Sequence, residues 1–335
     1  MKHQSTDVTD AWRGEEGVQR LKKMHAKRTS DDQTLKAIVS KAIGKGLASY
    51  KRIISGEVNE VYEATLTNGT NIILRIGHIE NKSFESETWA IEQSRRAGVP
   101  HAQVLAIGEI TTDGRTLYYS LQEKLTGKRF DDLLWGERIT PERAERITQN
   151  AGEALARLHS VRTKGYGYIR PGGQGQFVDM NAWVHSHLEK REIYGKLFGQ
   201  HNLTAADLAA TFTRLEDAKN IFAEPPHLLH GDFGPKHIFV DDSDEITGII
   251  DLEQASSGDM VLDLAGWQFW FKESVPIDWL LAGYSRAGNV GDNFEARMNL
   301  AQLHATLGLL DYYTNVSPVP QCANDAAKVI KDLID

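Results

Sequence analysis

Cysteine is almost absent from the chain, whose 335 residues include a single one, Cys322. One thiol cannot form an internal disulfide, and the sequence offers no cysteine cluster for a structural zinc ion. Disulfide frameworks belong to oxidising compartments, whereas reducing compartments keep thiols free. We therefore expect a cytoplasmic protein without a disulfide framework.

Long hydrophobic runs are also missing. The first residues, Met1 to Trp12, are polar and lack the apolar core of a signal peptide. The longest apolar stretches, such as Leu264–Phe271, are far shorter than the roughly 20 residues that cross a bilayer. With 41% hydrophobic and 25% charged residues, the composition is that of an ordinary globular protein. We expect a soluble protein with no membrane partner.

Positive charge is scarce beyond the N-terminal part. Residues 1–52 contain 12 Lys and Arg against 6 Asp and Glu, a local charge of +6, whereas the whole chain carries −8. The remaining residues therefore carry −14. An acidic body argues against a nucleic-acid partner and is compatible with a cationic small molecule. Acidity also keeps proteins soluble, so the charge alone leaves the ligand open.

β-branched and aromatic residues dominate residues 50–121, a pattern typical of a small antiparallel sheet. Asn68-Gly69 and Asp113-Gly114 favour tight hairpin turns between neighbouring strands. A single helix, Ser83–Ala97, is predicted after the third strand because Gly98-Val99-Pro100 is a stop signal. The predicted strands are Tyr50–Ile54, Val58–Leu66, Asn71–Ile76, Val104–Ile110 and Thr116–Leu121.

Helical patterns dominate after Glu123. Thr140 followed by Pro141 predicts a helix start, and helices are also predicted at 181–198, at 204–222 and from Val261 on. Strands first and helices after predict an α+β fold with two lobes and a ligand-binding cleft between them. The predicted divisions are an N-terminal helical extension at 1–49, which includes a basic stretch at 18–28, a small lobe at 50–122 and a large lobe at 123–335.

The strongest chemical signal is the segment His230-Gly231-Asp232-Phe233-Gly234-Pro235-Lys236-His237. A second segment, Ile249-Ile250-Asp251-Leu252-Glu253, places its aspartate nineteen residues after Asp232. Each motif follows a short apolar strand, so two carboxylates can be held rigidly and face one space. Phosphoryl transfer needs such a pair, because one carboxylate accepts the proton of the attacking hydroxyl and another binds magnesium. The alternative, two ordinary β-turns with exposed acids, is disfavoured by the pairing of the motifs.

These motifs resemble those of the aminoglycoside phosphotransferase family, antibiotic and metabolite kinases whose fold is similar to that of eukaryotic protein kinases. The resemblance covers about residues 50–315 and also rests on Gly258-Asp259 and on Asp263-Leu264-Ala265. It implies a two-lobed kinase fold, transfer of the γ-phosphate of ATP or GTP to a hydroxyl, and Mg²⁺ or Mn²⁺ as the metal. By this resemblance Asp232 is the catalytic base and Asp251 is the main metal ligand.

Position 237 departs from the family pattern. The family usually has Asn five residues after the catalytic aspartate, as a second magnesium ligand, whereas this chain has His237. Imidazole is a poorer partner for magnesium than an amide oxygen and suits manganese or zinc better. Macrolide kinases of the family also carry His there, so we predict that His237 binds the metal; a loop histidine without a metal is the alternative. His230 and Asp263 are expected to brace the loop.

Weaker signals for a nucleotide lie in the small lobe. Ser55, Gly56 and Asn59 lie in the first hairpin, and Gly56-Glu57 resembles the phosphate-covering loop of hygromycin B kinases, with one glycine rather than three. Arg75 on the third strand resembles the cation that binds the α- and β-phosphates and pairs with a helix glutamate. Most relatives use Lys there, but hygromycin-type enzymes use Arg, which can contact phosphate in bidentate fashion.

The glutamate partner of Arg75 is predicted by counting back from the end of the helix, which favours Glu87 and leaves Glu85 as the second choice. A solvated arginine at a strand edge is the alternative. Leu121–Leu125 followed by Gly127 resembles the hinge between the lobes. Backbone groups of Glu123 and Leu125 would bind the purine there, so their side chains do not distinguish ATP from GTP.

The acceptor is the least determined part. Gly165–Tyr168 and Gly172–Gly175 resemble the loop region of hygromycin-type enzymes, so an aminoglycoside-like, cationic acceptor is our first expectation. Glu253 and Asp259 follow the metal motif on the loop expected to border the acceptor and are the candidates to bind it. Alternatives are a kinase for a macrolide, which His237 favours, or for a metabolite, and a catalytically silent nucleotide-binding module. A monomer and a homodimer remain equally open.

The aromatic run at 267–271 is predicted to lie in the core. Its residues recur at helical spacing directly after Asp263-Leu264-Ala265, and such a pattern is far more often core than a platform for stacking bases. A protein kinase is disfavoured because no Ala-Pro-Glu segment follows Asp251. The sequence therefore favours a kinase of small molecules.

Overall fold

The first lobe consists of a five-stranded antiparallel sheet with two helices. The computed structural model describes residues 29–54, 59–78, 84–222 and 225–335, so the predictions for 1–28 lie outside it. The strands follow the order β1-β2-β3-β5-β4, which confirms the predicted sheet with one helix inserted after its third strand. The elements are α1 (Asp32–Ile43), β1 (Leu47–Ile53), β2 (Glu60–Leu66), β3 (Asn71–Gly77), α2 (Glu85–Arg96), β4 (Val104–Thr112) and β5 (Arg115–Glu123).

Helix α1 is an integral part of this lobe. It begins after Asp31, whose carboxylate accepts a hydrogen bond from the Thr34 amide at 2.7 Å, and it ends at Gly44 with φ 66°. Its apolar stripe of Leu35, Ile38 and Val39 is fully buried in the same hydrophobic core as the sheet. The predicted boundary between residues 49 and 50 therefore falls within β1. Residues 29–49 belong with the small lobe, because α1 buries its apolar side chains in the core of that lobe.

The second lobe is mainly helical. Its helices are α3 (Pro141–His159), α4 (Met180–Leu188), α5 (Arg191–Gln200), α6 (Ala205–Glu216), α7 (Ala218–Ile221), α8 (Val261–Phe271), α9 (Ile277–Tyr284), α10 (Phe294–Asp311) and α11 (Pro320–Ile334). Its strands are β6 (Lys128–Arg129), β7 (Tyr166–Ile169), β8 (Gly175–Phe177), β9 (His227–Leu229), β10 (Ile238–Val240), β11 (Ile246–Ile249) and β12 (Ser256–Gly258). Within the described ranges no helix is long and apolar enough to cross a membrane.

Two predicted helices are each divided by a tight turn. The predicted helix 181–198 is interrupted where the Lys190 amide bonds to the carbonyl of His187, three residues back, at 3.1 Å. The predicted helix 204–222 is interrupted in the same way, by a bond from the Asp217 amide to Arg214 at 3.2 Å. A bond to the third residue back tightens the last turn of a helix and ends it, and the apolar periodicity on either side did not reveal these ends.

Helix α2 packs against the hydrophobic core of the large lobe. Ala90, Ile91 and Val99 belong to the hydrophobic core of the large lobe. The buried ring of His101 bonds through Nδ1 to the Ile249 carbonyl at 2.6 Å and through Nε2 to the Ser94 hydroxyl at 2.7 Å. Burial lowers the pKa of His101 to about 3, so the ring is neutral and donates one of these bonds while accepting the other. The helix is thus fixed to the strand that leads to Asp251.

Candidate active site

The loop at residues 230–237 is held by a carboxylate at the start of α8. Asp263 accepts hydrogen bonds from the amides of His230 at 2.7 Å and Gly231 at 2.8 Å. Burial would raise the pKa of Asp263, but its hydrogen bond with His159 lowers that pKa overall, so the carboxylate stays ionised. The prediction that Asp263 holds this loop is confirmed.

The ring of His230 links the two motifs. It is fully buried, its Nδ1 accepts from the Asp232 amide at 3.3 Å, and its Nε2 donates to the Ile250 carbonyl at 3.0 Å. Burial lowers the pKa of His230, which keeps the ring neutral. Between these residues Gly231 has φ 82°, and a Cβ there would collide with the Gln254 carbonyl. The predicted bracing role of His230 is confirmed.

Asp232 and Asp251 converge on one imidazole. The His237 ring lies 3.9 Å from Asp232 Oδ2 through Nδ1 and 3.4 Å from Asp251 Oδ2 through Nε2. The two carboxylates are 41% and 40% exposed, so both are open to ligands. Asp251 has φ 68°, a left-handed backbone conformation that is uncommon for a residue with a side chain and occurs preferentially at functional sites.

The orientation of His237 is fixed by its neighbours. Its Nδ1 lies 2.8 Å from the carbonyl of Asp232, and a carbonyl accepts, so Nδ1 carries the proton. The ring also stacks on His230 at 5.6 Å between centroids, with 16° between the planes. With Nδ1 held by this carbonyl, Nε2 faces the carboxylate of Asp251, which is the arrangement that a metal ligand needs. That His237 binds a metal, rather than being a loop histidine without one, stays a prediction.

The donor set fits a divalent cation that is shared with a nucleotide. Neighbouring ligands of an octahedral ion with bonds of 2.0–2.1 Å lie about 3 Å apart, close to the 3.4 Å between His237 Nε2 and Asp251 Oδ2. In the described part of the chain no group of three or more His, Cys, Asp or Glu is placed to hold a metal. Magnesium sites commonly use one or two protein ligands together with water and substrate phosphates, so a pair of protein donors is compatible with this ion.

Arg75 occupies the centre of the cleft and is buried rather than solvated, which contradicts the alternative of a strand-edge arginine. It forms an ion pair with Glu87 on α2, and its Nη2 lies 3.1 Å from Asp251 Oδ1 and 3.1 Å from Glu253 Oε2. The second choice of partner, Glu85, is exposed. Burial raises the pKa of Glu87 to about 7, against the opposing effect of Arg75. Arg75 thus joins the small-lobe sheet to α2 and to the segment that contains Asp251 and Glu253.

Glu253 contacts the small lobe through two side chains. Besides its contact with Arg75, its carboxylate accepts a hydrogen bond from Asn59 Nδ2 at 2.6 Å. Asn59 is buried at the start of β2, directly after the predicted phosphate loop, whose residues Ser55 and Gly56 lie outside the described residues. The prediction that Glu253 binds the acceptor is therefore not supported, because its carboxylate already bridges the two lobes.

The prediction that Asp259 binds the acceptor is contradicted. Asp259 is 1% exposed, and its carboxylate accepts from the Arg297 guanidinium, at 2.8 Å for the Nε–Oδ2 pair. The same carboxylate accepts from the Val261 amide at 3.1 Å. A buried acid that is neutralised by a buried arginine has no free face for a ligand. Asp259 instead fixes the start of α8 to α10.

Asp259→Ala is expected to destabilise the protein by about 3 kcal/mol, because removing one partner of a buried ion pair leaves the other charge uncompensated. The melting temperature should fall by at least about 5 °C, while the Michaelis constants of nucleotide and acceptor stay unchanged. Asp332→Ala, which removes an exposed acid on α11, is the matched control and should leave the melt unaltered. A raised acceptor constant with an unchanged melt would restore a ligand-binding role.

The predicted hinge lies at the end of β5. The Glu123 amide donates to the Gln103 carbonyl at 2.9 Å, and the Glu123 side chain is exposed. Leu125 packs against Gly248, where a Cβ would collide with it. With the Glu123 amide engaged in the sheet, the Glu123 carbonyl and the backbone of Leu125 are the groups that we propose for the purine.

Two features of the site escaped the sequence analysis. Lys236 Nζ lies 2.8 Å from Asp232 Oδ2, although the lysine was noted only as part of its motif. Phe271 packs on Trp267 and the core, as predicted, and its half-buried ring also lies against Gly234 in the loop at residues 230–237, 2.6 Å from where a Cβ would stand. The ring of Trp135 packs on Phe271 at 6.4 Å. The spacing of four residues between Asp232 and Lys236 is the feature of the sequence that indicates the contact between them.

His237→Asn is expected to keep or raise activity with Mg²⁺ and to weaken any preference for Mn²⁺, because an amide oxygen replaces an imidazole nitrogen. Initial rates with each metal, measured for wild type and variant, give the ratio that tests this. His201→Asn is a control, since its ring bonds to Thr314 and Asn324, outside the cleft. If the two metals rank identically in all three proteins, His237 is not a metal ligand.

Comparison with known proteins relates the chain to a family of enzymes. Residues 49–298 match the family described as phosphotransferase enzyme family. Hygromycin-B 4-O-kinase of Escherichia coli is 25% identical over 202 residues, which cover 60% of this chain and 57% of that protein. The match thus spans less than two thirds of the relative.

Solved structures show the fold. A thermostable mutant of aminoglycoside phosphotransferase APH(4)-Ia, in ternary complex with AMP-PNP and hygromycin B, superposes with a TM-score of 0.68 at 20% identity, covering 90% of this chain and 97% of that one. Macrolide 2'-phosphotransferase type I gives 0.58 at 16% identity, over 90% and 97% of the chains. The predicted two-lobed, kinase-like α+β fold is confirmed.

Proposed function

The chain belongs to the phosphotransferase enzyme family, and from this premise we propose that it transfers the γ-phosphoryl group of ATP to a hydroxyl of a small-molecule acceptor. The observation that carries the proposal is the convergence of Asp232 and Asp251 on His237, with Arg75 beside them. A catalytic base, a metal ligand and a phosphate-binding cation in one cleft are the parts that phosphoryl transfer needs.

In the proposed mechanism Asp232 receives the acceptor. Its exposed carboxylate accepts a hydrogen bond from the attacking hydroxyl and takes the proton as the oxygen–phosphorus bond forms and the bond to the β-phosphate oxygen breaks. ADP and the phosphorylated acceptor leave, and the proton passes to solvent. Arg75 holds the phosphates from the small-lobe side. Asp251 and His237 would hold the divalent metal, which supplies positive charge to the phosphate oxygens.

An aminoglycoside-like acceptor is the first candidate. The curated relative is named for 4-O phosphorylation of hygromycin B, and one structural neighbour holds hygromycin B together with AMP-PNP. The charge of −14 beyond residue 52 suits a polycationic acceptor. Because Asp259 is buried and Glu253 bridges the lobes, other acids of the large lobe would have to bind such a cation.

A macrolide is the second candidate, favoured by the surroundings of the catalytic loop. The half-buried ring of Phe271 lies beside Gly234, two residues from Asp232, and the half-buried ring of Trp135 packs on Phe271. Partly exposed aromatic rings suit an acceptor with apolar faces better than a polycation. His237 also favours this candidate, since macrolide kinases resemble the chain at that position.

The test is a screen of purified protein with ATP or GTP, in Mg²⁺ or Mn²⁺, against hygromycin B, other aminoglycosides, macrolides and sugar metabolites. Phosphate transfer is read as a mass shift of the acceptor. Salt dependence separates the two candidates, because binding of a polycation to exposed acids weakens as ionic strength rises. An acceptor constant that is indifferent to salt would exclude the first candidate. Nucleotide binding without turnover under every condition would support the silent module instead.

A further inference from the structure

Lys236 places a cation directly on the proposed catalytic base. Its Nζ lies 2.8 Å from Asp232 Oδ2, and the side chains are 47% and 41% exposed. Lys236 therefore contacts the carboxylate to which the proposed mechanism assigns the proton of the acceptor hydroxyl.

The ion pair between Lys236 and Asp232 contributes little to the stability of the fold. Exposed ion pairs between residues four apart contribute little, because water screens them and two long side chains must be ordered. The loop is instead held by backbone bonds to Asp263 and by the buried ring of His237. The Lys236 ammonium donates a hydrogen bond to Asp232 Oδ2. This is an oxygen that could accept the proton of the acceptor hydroxyl. The ammonium must move, at least partly, if the hydroxyl is to bind there.

The backbone of Lys236 is fixed while its side chain is free to move. The residue lies in the short 3-10 helix Pro235–His237, and both of its neighbours are buried. A lysine side chain has four methylene groups and three rotatable donors on its ammonium, so it can reach a second partner without a backbone shift. Arg75, by contrast, is engaged by Glu87, Asp251 and Glu253. These three ion pairs hold its guanidinium in place.

We propose that Lys236 is a catalytic residue that exchanges Asp232 for the γ-phosphoryl group once nucleotide and acceptor are bound. This inference rests on the proposed kinase function. The ammonium donates hydrogen bonds to the non-bridging oxygens of the phosphoryl group, where negative charge must be stabilised during transfer. Its departure frees Asp232 Oδ2 for the hydroxyl. No covalent bond to lysine forms, and the ammonium keeps its protons throughout.

The test compares Lys236→Met with Lys236→Arg in the full chain. We expect Lys236→Met to lower kcat by about 10²-fold, the typical effect of removing one donor to developing charge. Its melting temperature and the Michaelis constant of ATP should change little, because the ion pair is exposed and the donor acts in the transition state. Lys236→Arg keeps the positive charge and should recover part of the rate. Lys196→Met removes a similar exposed i,i+4 pair, with Glu192 at 3.3 Å, and should match wild type.

The outcomes separate this inference from the proposed function. ATP turnover is followed with the best acceptor and also with water alone as acceptor. A wild-type protein that turns over no ATP removes the proposed function, and this inference falls with it. A wild-type protein that turns over while Lys236→Met keeps its kcat overturns the inference alone. Equal losses in both Lys236 variants, with lowered melting temperatures, also overturn it, since they indicate a structural role.

Discussion

Asp232→Asn is expected to leave the fold intact and to lower kcat by about 10²–10⁴-fold, the usual contribution of a general base. An amide of the same shape cannot take the proton of the attacking hydroxyl. Stability should hold because the loop is fixed through backbone amides to Asp263 and through the rings of His230 and His237, none of which uses the Asp232 carboxylate. Steady-state kinetics and a thermal melt of the same preparation check both parts.

Asp242→Asn is the matched control for this variant. Asp242 is exposed in the turn between β10 and β11, ten residues further along the chain, and should tolerate the same change of charge without loss of rate. A kcat near that of wild type for Asp232→Asn would remove Asp232 as the base. A rate loss accompanied by a large drop in melting temperature would show that the carboxylate supports the loop instead.

Local sequence patterns predicted the position of the site because its parts lie at the ends of short, strongly apolar strands. Asp232 and Asp251 each follow such a strand. Because a buried strand has a fixed position, it also fixes the position of the residues that directly follow it. Glu87 could be paired with Arg75 because the helix has a clear stop at Gly98, from which its inward face can be counted. Both inferences needed only contiguous residues.

Partners that are distant in the chain could not be predicted. Asp259 has the sequence context of a loop acid, and nothing near it indicates Arg297, 38 residues away on α10, as the partner that buries it. Glu253 was misplaced for a similar reason, since its partner Asn59 lies in the other lobe. The integration of α1 into the small lobe was missed because an amphipathic stripe shows that a helix is buried but not against what.

Arg75 links the two lobes through its ion pairs. Its strand belongs to the small-lobe sheet, its partner Glu87 lies on a helix fixed to the large lobe, and its other contacts, Asp251 and Glu253, belong to the metal motif. Each of these three carboxylates contacts the same guanidinium. Any shift of the small-lobe sheet therefore moves the Arg75 guanidinium relative to Asp251 and Glu253.

Asp251→Ala is expected to abolish metal-dependent binding of the nucleotide. Asp251 supplies the carboxylate of the proposed metal site, and His237 alone provides one nitrogen, a weak site for Mg²⁺. Arg75 keeps Glu87 and Glu253 as partners in the variant, so its charge remains compensated. Calorimetry with ATP and Mg²⁺ or Mn²⁺ should show no increase in affinity over ATP with a chelator.

Because Asp251 has a left-handed backbone conformation, a second variant is needed beside Asp251→Ala. With φ 68° and ψ 54° the residue is left-handed, a conformation that Asn and Asp tolerate better than Ala, at a cost for Ala of roughly 1–2 kcal/mol. Asp251→Asn keeps the shape and the backbone preference but removes the charge. It should lose metal-dependent binding as fully as Asp251→Ala while melting at a higher temperature than the alanine variant. Metal-dependent affinity that survives in both would place the metal site elsewhere, and loss in Asp251→Ala alone would attribute the effect to the backbone instead of the carboxylate.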